Sequence, residues 1–208
     1  MKPIMNVEGK HKKQSGGSGQ FGVCYINVEP LDEGTGVEFL STVKGGAISK
    51  TFINSVEKGV REQLEAGGPF GFPVTDIRVT VTDGKMHSVD SKDIAFQSAG
   101  RQAVKRALDQ AGTILLQPMQ KVKFVINDQL QGEVNGIVSR SDGYVIDSMF
   151  KENNQAEIDA IIPAAAIAEV SEVLRAESKG EGHYVAEFSH YQIVPEPQVK
   201  TICDKQKP

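Results

Sequence analysis

Tryptophan is absent from this sequence, and cysteine occurs only twice, at Cys24 and Cys203. Two thiols so far apart in sequence make neither a disulfide framework nor a zinc site. Both are expected to be inert thiols of a reduced, cytoplasmic protein. No apolar run approaches the roughly 20 residues that a membrane span needs, so no membrane partner is expected. The opening residues, MKPIMNVEGKHKK, lack the apolar core of a secretory signal. The four histidines, His11, His87, His183 and His190, show no ligand spacing, and no metal is expected. Also missing are G-x-S-x-G, H-E-x-x-H, an EF-hand loop and the P-loop G-x-x-x-x-G-K-[ST]. Without these the chain reads as a non-enzyme with no catalytic residue of its own.

What is present suffices for a packed core, since hydrophobic residues make up 39% of the 208. The net charge of −4 is unevenly spread. Residues 1–117 carry 14 Lys/Arg against 13 Asp/Glu, whereas residues 118–208 carry 9 against 14. Any anion-binding surface is therefore expected to be local and to lie in the first part.

Periodicity divides the chain in the same place. In the first part, Ile4–Glu8, Val23–Glu29 and Val37–Val43 read as strands. Residues 51–66 switch to a helical period, with Phe52, Val56, Val60 and Leu64 on one stripe. Val74–Val81 alternates as a half-buried strand, and Asp83–Ser91 reads as a turn and loop. Ser91 is expected to cap a helix that runs to about Gln110. The segment LLQPMQ, Leu115–Gln120, looks like a seam between domains 1–117 and 118–208. After it come strand Val122–Ile126, helix Leu130–Val138, and strands Tyr144–Phe150 and Glu157–Ile162. A helix opened by Pro163 then runs through Ala176, and strand Tyr184–Tyr191 closes the pattern. This βαββαβ order is that of a ferredoxin-like domain, so the fold class is α+β with two domains.

The segment GKHKKQSGGSGQFGVCY, Gly9–Tyr25, concentrates cations and glycines. Within it Gly17, Gly19 and Gly22 match a nucleotide-binding fingerprint. That fingerprint requires a helix after the glycines, and VCYINVE reads as a strand instead. A kinase glycine loop does lie between strands, but no H-R-D or D-F-G segment is present. A free-standing enzyme holding a nucleotide at Gly17–Gly22 is thus the minor alternative. The other reading is a loop that meets a phosphate backbone, with Lys10, Lys12 and Lys13 as cationic donors and glycines permitting close approach. Ser55 and Lys58 form an S-x-x-K match, but they sit in an amphipathic helix and read as polar-face residues.

The segments VEGKHKKQSGGSGQFG, VEKGVREQLEAGGPFGFPVTDIRVTVTDGKMHSVDSKDIAF and LLQPMQKVKF resemble the C-terminal part of bacterial elongation factor G, in order, from about Val7 to Tyr191. The resemblance implies a ribosomal protein S5 domain 2-like α/β sandwich for 1–117 and a ferredoxin-like fold for 118–208. It implies that the chain is the C-terminal part of a longer GTPase or a truncated paralogue. GTP and magnesium would then belong to a domain absent from this chain, which holds no cofactor itself. It further implies a ribosome partner. The fourth domain enters the small-subunit decoding region beside tRNA and mRNA, and the fifth lies near the GTPase-associated region of the large subunit. A monomer is expected.

Two tip loops correspond to Gly9–Phe21 and Lys85–Ser91. The ribosome- and tRNA-contacting residues implied are Lys10, His11, Lys12, Lys13, Gln14, Ser15, Gly16, Gly17, Ser18, Gly19, Gln20 and Phe21 on the first. On the second they are His87, Ser88 and Asp90. The family commonly has arginine where Ser18 stands, aspartate where Ser88 stands, and an arginine run where SRSDG leaves only Arg140. These departures open the alternative of a ribosome-recycling or ribosome-protection paralogue.

Overall fold

The computed structural model describes residues 1–14 and 19–205, the last without its side chain. The chain divides into two compact units. One takes in Met1–Ile114 and the residues from Cys203 on, and the other is Leu115–Ile202.

The first unit contains β1 (Ile4–Lys13), β2 (Gln20–Pro30), β3 (Val37–Ser41), α1 (Lys50–Ala66), β4 (Ile77–Lys85) and α2 (Asp93–Ala111). Its sheet has the order β1-β2-β4-β3. The first two pairings are antiparallel, and β3 runs parallel to β4. Both helices pack on one face, because the apolar residues of each strand alternate onto that side. Cys24, Ile26 and Val28 of β2 meet Val79 and Val81 of β4, Val56, Val60 and Leu64 of α1, and Phe96, Val104 and Leu108 of α2. The stripe expected on α1 thus faces the core. Ser55, expected on the polar face, is buried instead. Its Oγ donates to Asp93 Oδ1 of α2 at 2.9 Å and to its own helix at Thr51 O.

Several boundaries differ from expectation for tertiary reasons. β1 extends five residues beyond Glu8, since Gly9–Lys13 pair with Gln20–Cys24. Charged residues make poor strand formers by composition, but the ladder supplies their backbone partners. β4 likewise continues through Lys85. The Ser49 hydroxyl caps α1, accepting from Phe52 N at 3.3 Å. Ser91 does not cap α2. Lys92 holds that position, and the Ser91 hydroxyl is engaged elsewhere. Gly112, in the left-handed region at φ 71°, ends α2 as expected.

The second unit contains β5 (Leu116–Asn127), α3 (Gln131–Arg140), β6 (Tyr144–Lys151), β7 (Gln155–Pro163), α4 (Ile167–Glu177) and β8 (His183–Ile193). The sheet order β6-β7-β5-β8, antiparallel throughout, is the ferredoxin-like arrangement. Its separate core joins Val122, Phe124 and Ile126 to Ile158 and Ile162, and to Val134 of α3 and Leu174 of α4. β5 begins within the LLQPMQ segment. Pro163 closes β7 rather than opening a helix; a 3-10 turn, Ala164–Ala166, separates it from α4. Glu196–Lys205 forms a further helix, α5.

Cys24 sits in the first core, fully buried, and burial pushes its thiol up to about 12. The folded chain should therefore leave Cys24 unlabelled by iodoacetamide at neutral pH. The folded pKa lies above the ordinary thiol value of 9.0, so the neutral thiol is the form that supports folding. That contribution is complete below pH 9 and is lost as the pH rises toward 12. Chemical unfolding repeated from about pH 8 to about pH 12 should show stability falling only in the upper part. Rapid Cys24 labelling without denaturant would contradict this burial.

Candidate nucleic-acid interface

The start of β2 and the segment from β4 to α2 meet at one end of the first sheet. Two hydrogen bonds, from Phe21 to Asp90 and from Ser91 to Phe21, fasten them. Phe21 N donates to Asp90 O at 2.9 Å, and Ser91 Oγ donates to Phe21 O at 3.0 Å. Within the second segment, His87 N donates to Ser91 Oγ at 2.8 Å and Ser91 N to His87 O at 3.2 Å. The same hydroxyl therefore accepts from one segment and donates to the other. By sequence alone Ser91 reads as a helix cap, and only the fold reveals it as a clasp.

His87 is exposed and aimed by the turn it begins. Its Nδ1 accepts from Val89 N and Asp90 N, each at 3.3 Å, with Asp90 Oδ2 3.6 Å away. With Nδ1 serving as an acceptor, the neutral ring carries its proton on Nε2. The ring also meets Phe21 edge to face, with centroids 6.4 Å apart. Asp90 packs close to Gly19, where a β carbon would lie 2.8 Å from the Asp90 Cγ. Ser88 is exposed beside His87.

Around these rings lies an open cleft of about 250 Å³ lined by Lys12, Gln14, Gln20, Phe21, His87 and Asp90. Its wall combines a cation, two carboxamides, two rings and a carboxylate. Such a surface can hold a phosphate, hydrogen-bond a base edge and stack a base face.

The expectation of one loop over Gly9–Phe21 needs correction. Lys10, His11, Lys12 and Lys13 lie on β1, and Gln20 and Phe21 on β2. Strand alternation separates the cluster: Lys10 and Lys12 share one face, and His11 and Lys13 the other. His11 is half-buried, and its Nε2 donates to Gln20 Oε1 at 3.0 Å. Gln14 follows β1 and Gly19 precedes β2. Ser15, Gly16, Gly17 and Ser18 fall outside the described residues.

Among the described residues no cluster of His, Cys, Asp or Glu could hold a metal. No helix there is long and apolar enough to cross a membrane. Gly19 leads directly into β2, and Gly22 lies inside that strand with a β-carbon position 3.1 Å from the Ala95 backbone. Gly19 and Gly22 therefore do not open a helix, as the dinucleotide fingerprint requires.

A family model described as elongation factor G, domain IV, matches residues 1–112, and one described as elongation factor G C-terminus matches residues 114–202. Two Mycobacterium tuberculosis proteins, from strains CDC 1551 / Oshkosh and ATCC 25618 / H37Rv, are similar to this chain; both bear the name elongation factor G-like protein. Each is 44% identical over 188 residues, which covers 90% of this chain and 26% of the relative. The chain therefore spans about a quarter of the length of these relatives. A crystal structure of a protein from Thermus thermophilus superposes with a TM-score of 0.85 at 31% identity, over 100% of this chain and 31% of that one.

Proposed function

The chain belongs to the elongation factor G family, spanning its domain IV and its C-terminal domain, and on that basis we propose that it is the ribosome-binding part of a translocation GTPase. The end of the first unit that carries His87 enters the decoding region of the small subunit and accompanies tRNA and mRNA. The second unit lies near the GTPase-associated region of the large subunit. GTP and magnesium belong to another domain of the whole protein, and no step of hydrolysis is assigned to residues of this chain.

The observation that supports this reading most is the pair of clasped segments. They hold an exposed imidazole N–H beside Phe21 and Lys12, with Lys10 further along the same strand. A surface that follows moving RNA gains from phosphate contacts, which position without reading sequence. A ring held by backbone bonds also loses little freedom on contact.

In the full-length protein, His87→Ala should slow tRNA–mRNA translocation roughly tenfold, the equivalent of losing about 1.4 kcal/mol of interaction. Ribosome-stimulated GTP hydrolysis should stay near its normal rate. Rapid-kinetic measurement of both steps provides the check, and equal loss of the two would reject the assignment of His87.

A second reading, a recycling or protection paralogue, draws on two observations. The similar M. tuberculosis proteins are named as elongation factor G-like, and Ser88 replaces the aspartate usual in the family. Subunit splitting by the full-length protein without translocation would establish that reading instead.

A further inference from the structure

We propose that Lys85 joins Lys10 and Lys12 in a phosphate-binding row on the open face of the first sheet, and that its partner is a single-stranded RNA backbone. This rests on the reading above and extends its contact surface from the cleft onto the sheet itself.

Register places the three lysines together. Lys10 pairs with Val23, and Val23 pairs with Lys85, so the three form one cross-strand row. Paired residues share a sheet face, here the face opposite the helices. Lys12, two residues beyond Lys10, lies on the same face and pairs with Phe21. Val23 is 2% exposed although it is on the open face. Its position between Lys10 and Lys85 suits coverage by their aliphatic stems, which leaves both ammonium groups outward. Gly84 keeps this row tight, since a β carbon there would lie 2.6 Å from the Val23 carbonyl oxygen.

Charge defines where the row ends. None of the three lysines forms an ion pair among the described residues. The next row holds Glu8, Tyr25 and Asp83, with Tyr25 OH donating to Glu8 Oε1 at 3.1 Å. Farther along are Glu29, Arg78 and Glu38, where Arg78 is already bonded to Glu38 at 2.8 Å. Among the described residues of this face, unpaired cations thus occupy the end beside the cleft, and acids turn an anionic chain away beyond it. Lys10 and Lys12 are about 7 Å apart along the strand, and Lys85 stands about 10 Å across from Lys10. Flexible lysine stems can adjust these spacings to consecutive phosphates. RNA is favoured over an acidic protein because the row runs into the cleft with Phe21 and His87, where bases can stack.

The test is equilibrium binding of the 208-residue chain to a fluorescently labelled single-stranded RNA across a salt series. Lys85→Gln, Lys10→Gln and Lys12→Gln should each weaken binding about three- to tenfold at low salt. Each should also reduce the salt slope by about 0.7, the value for one phosphate contact on a single strand. Lys105→Gln, on α2 on the opposite face, should change neither. A Lys85→Gln slope equal to that of the unsubstituted chain, with Lys10→Gln and Lys12→Gln still reduced, would overturn the row and leave the RNA reading standing. Absence of salt-dependent RNA binding by the unsubstituted chain would overturn both. Equally tight binding to polyglutamate, weakened by the same three substitutions, would replace RNA with acidic protein as the partner class.

Discussion

Gly59→Ala is expected to destabilise the first unit by about 1–2 kcal/mol, although alanine is the better helix former. A β carbon at Gly59 would overlap the Gln97 carbonyl of α2, and one at Gly100 would lie 2.6 Å from Val56 O of α1. The two helix backbones are therefore in direct contact, and no rotamer change can relieve the added methyl group. Overpacking of this kind costs about 1–3 kcal/mol. The contact also lies between fixed points, since Phe52 stacks on Phe96, Ser55 bonds Asp93, and Arg101 bonds Glu62. The Arg101 guanidinium holds the Glu62 carboxyl below its usual range, though both groups are too exposed for that pair to offset the clash. The improved helix propensity of alanine returns at most about 1 kcal/mol. Urea-dependent labelling of Cys24 in a Cys203→Ser background reads the first unit alone and should show an earlier midpoint. Gly132→Ala on α3, where the new methyl meets open space, should leave that midpoint unchanged. An unchanged midpoint for Gly59→Ala would mean that the helices separate at no cost.

Phe96→Ala should cost still more, about 3–5 kcal/mol. Phe96 is fully buried, and its ring stacks on Phe52 with centroids 4.4 Å apart and planes 18° from parallel. Its removal would open a cavity between α1, α2 and the sheet, walled by backbones that already touch at Gly59 and Gly100. The site can therefore collapse little, which places the loss high in the range for aromatic truncation. Domains are commonly stable by only about 5–15 kcal/mol, so the variant should lose much of its protection at physiological temperature. Amide exchange along α2, and the same Cys24 labelling, would detect it. Phe96→Leu should keep most of the volume and lose roughly 1 kcal/mol. A loss below about 1 kcal/mol for Phe96→Ala would show that Phe96 does not anchor the helix pair.

The alternation of Ile77, Val79 and Val81 and the four-residue stripe of α1 are legible in the sequence, as is the βαββαβ order of the second unit. Each is a local pattern in which period reports which side is buried. The role proposed for His87 is suggested only by family resemblance, for a lone histidine in a turn carries no chemical signature. Ser91 misleads because a serine before a helix matches a capping pattern, and nothing local shows that its hydroxyl is drawn to Phe21, 70 residues away. Lys85 gives no local signal because it ends a turn-like segment, D-G-K, whose extended geometry depends on pairing with β2.

By itself the sequence determined where the apolar faces lie, that two separate cores form, and that cations gather near the glycine segment. Tertiary structure alone decided how those cations are shared out. Extending β1 through Lys13 divided the lysine cluster between two faces, and the register across β2 set Lys85 beside Lys10. The physical reason is that burial period is a property of neighbours in sequence, whereas cross-strand register is chosen by backbone pairing and side-chain packing between segments tens of residues apart.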